Sequence, residues 1–231
     1  MEVPVPPWHR PPRRRAAKPQ LSQELIVTTA LEILAKEGIA AVSMRRVARA
    51  LETGAASLYA YVSNKDELDE LMLDYVLGTI PLPEPDPRQW QRQCVDLLHA
   101  QVRAMVAHPG IANVAWRIMI PVGPNALRHG EALIALLRAG GLSLKHAAFG
   151  ADTLSTYAKA FAVEGNAFAS GDVSAEQIEQ RSRQMREYLN SLPPKTFPNL
   201  LEANRLFTAD TAAERLIFAL NAFLAGLERA G

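Results

Sequence analysis

A single cysteine in 231 residues, Cys94, excludes an internal disulfide framework. Aromatics make up only 6% of the chain, and its apolar runs carry charges too often to span a bilayer. The N-terminus has arginines and prolines where a secretory leader would have an apolar core, so the expected location is the cytoplasm. No sustained alternation of apolar and polar residues marks a strand, which predicts an all-α protein. A catalytic constellation is missing too. Cys94 has only His99 near it in sequence, and His129, His146 and Glu164 show no recognised ligand spacing, so neither an enzyme nor a cofactor or metal site is expected.

Charge of one sign is equally scarce. The net charge is +1, but residues 1–68 carry ten Lys/Arg against seven Asp/Glu, while the remainder carry fifteen against seventeen. That polarity suits a nucleic-acid-binding head on a neutral or acidic body. With 48% hydrophobic residues, the chain has enough apolar surface to bury a substantial core.

Residues 1–20 hold Pro4, Pro6, Pro7, Pro11, Pro12 and Pro19 among Arg10, Arg13, Arg14, Arg15 and Lys18. Proline at that density forbids a helix, leaving a solubilising tail or an arm that tracks DNA phosphates. From Ser22 to Gly38, Ile26, Ala30, Ile33 and Leu34 share one helical face, with Ser22 as N-cap and Gly38 at the C-terminal end. A second helix opens at Ser43, with Val42 stapled to Val47, and buries Met44, Val47, Ala48 and Leu51 while Arg45, Arg46 and Arg49 stay outside.

After a turn at Glu52–Gly54, a third helix of about two turns points Leu58 and Val62 inward and Ala56, Ser57, Tyr59, Ala60 and Tyr61 outward. Ser63 is then expected to cap a fourth helix, with Asp66 at the third position and a buried stripe of Leu68, Leu71, Met72 and Tyr75. Two short helices joined by such a turn are the arrangement that frees the second to enter a major groove. A small, nearly uncharged outer face permits close approach to base edges, and tyrosine hydroxyls can donate to phosphates. Arg45 is placed to reach a phosphate or a guanine edge, where a bidentate contact discriminates by about 1–3 kcal/mol.

Gly78 and the prolines at 81, 83, 85 and 87 mark the one obvious linker. Helices are then predicted near 88–107, 110–119, 123–139, 143–169, 174–191 and 210–229. The last repeats Ala213, Leu216, Ile217, Leu220, Phe223, Leu224 and Leu227 at alternating three and four residues, the seam of a helix bundle within one subunit or between two. Trp116, Met119, Phe149, Thr153, Thr156, Tyr157, Phe161 and Glu164 mix apolar walls with a few polar groups. That mixture suits either ordinary core or a small-molecule cavity.

The string LYAYVSNKDEL, Leu58–Leu68, with Ser43-x-x-x-Val47-Ala48 upstream and Glu37-Gly38 ending the first helix, resembles the N-terminal domain of the tetracycline-repressor (TetR) family of bacterial transcriptional regulators. Gly141–Leu144, Tyr157–Glu164 and the final FALNAFLAGLERA resemble, more weakly, the C-terminal domain of its tetracycline-repressor subclass. The resemblance implies a basic arm at 1–18, a DNA-binding domain at 19–79 and a helical effector-binding and dimerisation domain at 80–231. Carried residue by residue, it puts DNA contacts on Ser43, Met44, Arg45, Ala55, Ala56, Ser57, Tyr59, Ala60, Tyr61 and Lys65, the last donating to a phosphate.

It further implies a homodimer on double-stranded operator DNA, most simply a repressor released by a small-molecule effector. Trp116, Arg117, Phe149, Thr153, Thr156, Tyr157, Phe161 and Glu164 are the expected effector contacts. Glu164 matches a carboxylate of the drug site in true tetracycline repressors, but their metal-binding histidine has no counterpart, the matching position being Arg117 or a neighbour, so neither metal nor tetracycline is expected. The turn departs from the family as well, with Glu52-Thr53 where Gly-Val is common. A helical small-molecule carrier without DNA binding is the alternative, and it would have no use for Arg45, Tyr59, Tyr61 and Lys65 on one face.

Overall fold

The computed structural model describes residues 20–118, 120–167, 175–206 and 211–230, which form helices and no strand. The basic arm and Met119 lie outside the described residues. No helix among those described is long and apolar enough to cross a membrane.

The N-terminal helices follow their caps. Helix α1, Gln23–Glu37, starts where the Ser22 side chain accepts from Leu25 N at 3.1 Å. It stops at Gly38, whose φ of +80° a residue with a Cβ adopts only under strain. A short 3₁₀ turn, Ile39–Ala41, leads to α2, Met44–Ala50, capped by Ser43 accepting from Arg46 N at 3.2 Å. Helix α3, Ala55–Leu58, is shorter than predicted. Its helical hydrogen bonding continues only as far as Tyr61 and Val62, whose N–H groups both donate to Leu58 O.

Helix α4, Lys65–Gly78, corrects two expectations. Its N-cap is Asn64 rather than Ser63, and Asn64 Oδ1 accepts from Glu67 N at 2.8 Å. Glu67 reaches back to accept from Ser63 N at 2.6 Å, and that bond holds its carboxyl below the ordinary carboxylate range. Tyr75 is exposed rather than buried, and the buried stripe instead includes Asp69 and Asp74 beside Leu68, Met72, Leu73, Val76 and Leu77. A helix that buries aspartates is packed against donors on a second body. The contacts of α4 run to α1 on one side and to the C-terminal helices on the other.

Those helices are α5 (Trp90–Ala107), α6 (Ile111–Ile118), α7 (Pro124–Ala139), α8 (Leu144–Ala167), α9 (Ala175–Asn190), α10 (Pro198–Ala203) and α11 (Ala212–Ala230). Helices α5, α7 and α8 pack on one another, α6 bridges α4 and α8, and α11 lies on α5 and α8. One continuous apolar core runs from Ile26 through Leu68 and Leu98 to Leu224.

The proline-rich segment is a strap rather than a loose linker. The Gln93 side chain accepts from Asp86 N at 2.9 Å and donates to Glu84 O at 2.7 Å, folding the strap onto α5. Helix α10 falls between the helices predicted near 174–191 and 210–229, and Pro198 begins it because the first helical residue needs no N–H donor. The seam predicted on α11 divides: Leu216, Leu220 and Leu224 are buried, while Ile217 is exposed, as is Phe218 beside it outside the seam.

Candidate DNA-reading face and effector cavity

The reading face is assembled by α2, α3 and the head of α4. Leu58 and Val62 are buried and anchor α3 from within, so Ala56, Ser57, Tyr59, Ala60 and Tyr61 emerge on one exposed surface and Ala55 sits half-buried at its edge. Tyr61 is fixed from behind by Gln23 Nε2, which donates to its carbonyl at 3.2 Å. Arg45 and Arg49 are exposed on the same side of α2. Arg46 turns back instead, its Nε donating to Glu37 Oε2 at 3.1 Å, and this bond holds the Glu37 carboxyl below its usual range. Three arginines therefore divide into one structural brace and two free for a partner.

Two of the expected contact residues are placed differently. Met44 is buried, its side chain part of the core that positions α2. Lys65 is half-exposed and already engaged, its Nζ donating to the Asp69 carboxylate one turn along α4. The turn is strained where its sequence departs from the family. Glu52 has φ of +50°, the only left-handed conformation at a residue other than glycine among those described, while Gly54, at φ −79°, does not need to be glycine.

A second feature lies where α4 meets the C-terminal helices. Leu73 and Leu77 of α4, Met105 of α5, Ala115 of α6, Ile120 and Pro121 after it, Ala126, Leu127 and Ile134 of α7, and Ala151 of α8 enclose a cavity of about 540 Å³. Gln101 and His129 add polar groups inside it, and Asp152, Ser155 and Lys159 do so from α8. His129 is buried and its Nε2 faces Leu77 O at 3.0 Å, so that nitrogen carries the proton. Its Nδ1 then accepts from the Gln101 amide at 2.9 Å. Burial pushes the imidazole below its ordinary pKa and keeps it neutral, against the smaller opposing effects of the Leu77 bond and Asp74.

The wall between cavity and head is stitched by carboxylates of α4. Asp74 Oδ1 accepts from Asn125 N at 2.8 Å and Ala126 N at 2.9 Å, capping α7 from another helix. Gly123, at the N-cap position of α7, leaves the room: a Cβ there would stand 2.4 Å from Asp74 Oδ1. Glu70 accepts from Val122 N at 2.9 Å, and Asp69 accepts from Arg117 of α6. Each link joins the helix that follows the reading head to a segment bordering the cavity.

The effector contacts expected from sequence are not those that line this cavity. Trp116, Phe149, Thr153, Thr156 and Tyr157 are exposed, Arg117 pairs with Asp69, and Glu164 accepts from Arg215 at 2.8 and 3.0 Å while Phe161 lies beneath the same guanidinium. Helix α8 turns Ala151, Asp152 and Ser155 to the cavity and Phe149, Thr153 and Tyr157 away from it. On the two helices that face α8 across the cavity, a sequence signal for the cavity side did exist. His129 lies on the apolar face of α7 between Ala126 and Leu133, and Asp69 and Asp74 interrupt the apolar stripe of α4.

The C-terminal domain model described as "Tetracyclin repressor-like, C-terminal domain" matches residues 82–230, and the model "Bacterial regulatory proteins, tetR family" matches residues 26–70. The chain belongs to the TetR family. It is a DNA-binding transcriptional regulator, and the helix-turn-helix just described is its head. An "HTH-type transcriptional regulator" of Saccharopolyspora erythraea is 35% identical over 171 residues, which cover 74% of this chain and 67% of that protein. The "HTH-type transcriptional repressor DrrR1" of Streptomyces coeruleorubidus is 35% identical over 130 residues, 56% of this chain and 48% of its own length. Among solved structures, the TetR family protein ActR of Streptomyces coelicolor in complex with actinorhodin is 40% identical, covers 90% of this chain and 95% of its own, and superposes with a TM-score of 0.80. The same protein has been solved with (S)-DNPA.

Proposed function

We infer that this TetR-family regulator represses transcription as a homodimer on a two-fold operator and is released when a small molecule enters the cavity beneath α4. One observation carries the reading: α4 begins beside the reading face at Lys65 and forms the cavity wall with Leu73 and Leu77. A ligand that displaces the wall moves the head. Because both sites belong to one rigid helix, binding at one changes affinity at the other by linkage.

The DNA contacts proposed are Ser43, Arg45, Ala55, Ala56, Ser57, Tyr59, Ala60 and Tyr61, with Lys65 and the backbone of Met44 toward phosphates. Two copies of that face, spaced by a two-fold axis, read two half-sites. Exposed Leu144, Phe149 and Tyr157 on α8 and Ile217 and Phe218 on α11 are large apolar side chains that suit a four-helix contact between subunits. The outward side of α8 is thus assigned to dimerisation, and the effector to the cavity. Ile120 and Leu127, exposed at its mouth, suit a largely apolar ligand, and Gln101 and His129 a ligand oxygen or nitrogen.

The test is footprinting and gel-shift with DNA flanking the gene itself, followed by titration with actinorhodin and (S)-DNPA, the compounds seen on ActR. Protection of an inverted repeat, lost on addition of a compound, is expected. Tyr59→Ala should weaken operator binding strongly, and unchanged affinity in that variant would overturn the head assignment. A compound that raises the melting temperature without weakening operator binding would overturn the coupling.

A further inference from the structure

Asp69 is a buried carboxylate with two cationic partners that come from opposite ends of the proposed mechanism. Its side chain is 1% exposed. One oxygen accepts from Lys65 Nζ, at the head of α4 beside the reading face, and the other from Arg117 Nη2, on α6. Arg117 stands between Ala115 and Ile120, both of which line the cavity. The neighbouring carboxylates of α4 differ in kind: Glu70 and Asp74 are satisfied by amide N–H groups.

A buried carboxylate stripped of every cation is strongly disfavoured, so Asp69 must keep at least one of the two. With Arg117 docked, the charge on Asp69 is balanced without Lys65, and Lys65 is free to leave for a DNA phosphate. With Arg117 withdrawn, Lys65 is the one remaining partner and is held. We propose that Asp69 is the positioning residue that couples the cavity to the DNA contact, by trading Lys65 for Arg117: a ligand that shifts α6 removes Arg117, and Asp69 then withholds Lys65 from the phosphate. This assignment rests on the repressor-and-effector reading above. It adds the chemistry of the link, one cation gained or lost per subunit, which a rigid lever alone does not require.

The distinguishing readout is the salt dependence of operator binding, because each phosphate neutralised contributes about 0.9 to the slope of log K against log salt. Full-length protein and the footprinted operator would be titrated by fluorescence anisotropy across a range of NaCl. Arg117 is 59% exposed at its side chain, so Arg117→Gln should fold, and a single cooperative thermal transition would establish this even where its midpoint is lowered. Although Arg117 lies away from the reading face, Arg117→Gln is expected to weaken binding and to lower the slope by about 0.9 per subunit, as Lys65→Gln does. The double variant should lose no more slope than either single one. Arg117→Lys should restore the slope, and Asp69→Asn in the Arg117→Gln background should restore it too by releasing Lys65.

A wild-type slope in Arg117→Gln, or a full additive loss in the double variant, would overturn the relay while leaving the repressor reading intact. Failure of the wild-type chain to bind any flanking DNA would instead overturn that reading.

Discussion

His129 Nε2 donates to the carbonyl of Leu77, 3.0 Å away, so a side chain inside the cavity holds the last turn of the helix that begins at the DNA-reading head. Burial lowers the imidazole pKa from its ordinary 6.5, so the native ring stays neutral where the unfolded chain takes a proton. Below that value the unfolded state binds more protons, and native stability must fall as pH drops through and below about 6.5. Melting temperature measured from pH 7.5 to 5.5 should therefore decline. The decline should be shallower in His129→Gln, which keeps a donor for Leu77 but has nothing to protonate.

The cross-helix cap makes Asp74 a second fastening of the cavity wall. Asp74→Ala strands the N–H groups of Asn125 and Ala126 at the start of α7, and the loss of charge-assisted bonds there should cost about 2–3 kcal/mol. At this chain length that lowers the melting temperature by roughly 4–12 °C. Gly123→Ala should destabilise through the same contact, since its methyl would displace Asp74. Calorimetry on both variants checks the pair, and a double variant should cost less than their sum.

Glu52 occupies a left-handed backbone conformation at φ +50°. Glycine removes the Cβ penalty, about 1–2 kcal/mol, and returns about 0.5–1 kcal/mol of it through unfolded-state entropy. Glu52→Gly is expected to raise stability by up to about 1 kcal/mol, read as a higher denaturant midpoint. Gly54→Ala, at φ −79° with open space beside it, should be tolerated.

Cys94 is fully buried, and burial pushes its thiol up to about 12. Ellman's reagent should leave the native protein unlabelled and react with one thiol on denaturation, so labelling rate reports opening of the core. Prompt labelling under native conditions would show that α5 is not packed as described.

By itself the sequence determined the helical class, the first two N-caps and the outward set Ala56, Ser57, Tyr59, Ala60 and Tyr61, because each follows from spacing and capping within a few residues. Residues such as Leu58 and Val62 declare the inside of a short helix without reference to anything distant. The sequence could not show which side of α8 meets a cavity, since apolar and polar residues occupy both and the choice belongs to α4 and α7. It also assigned Lys65 to DNA and Arg117 to an effector, while tertiary packing brings both onto Asp69. Charges 48 residues apart in sequence, such as Asp69 and Arg117, meet only once the core has closed. Local pattern therefore fixes the reading head, and the link between head and cavity exists only in the packed molecule.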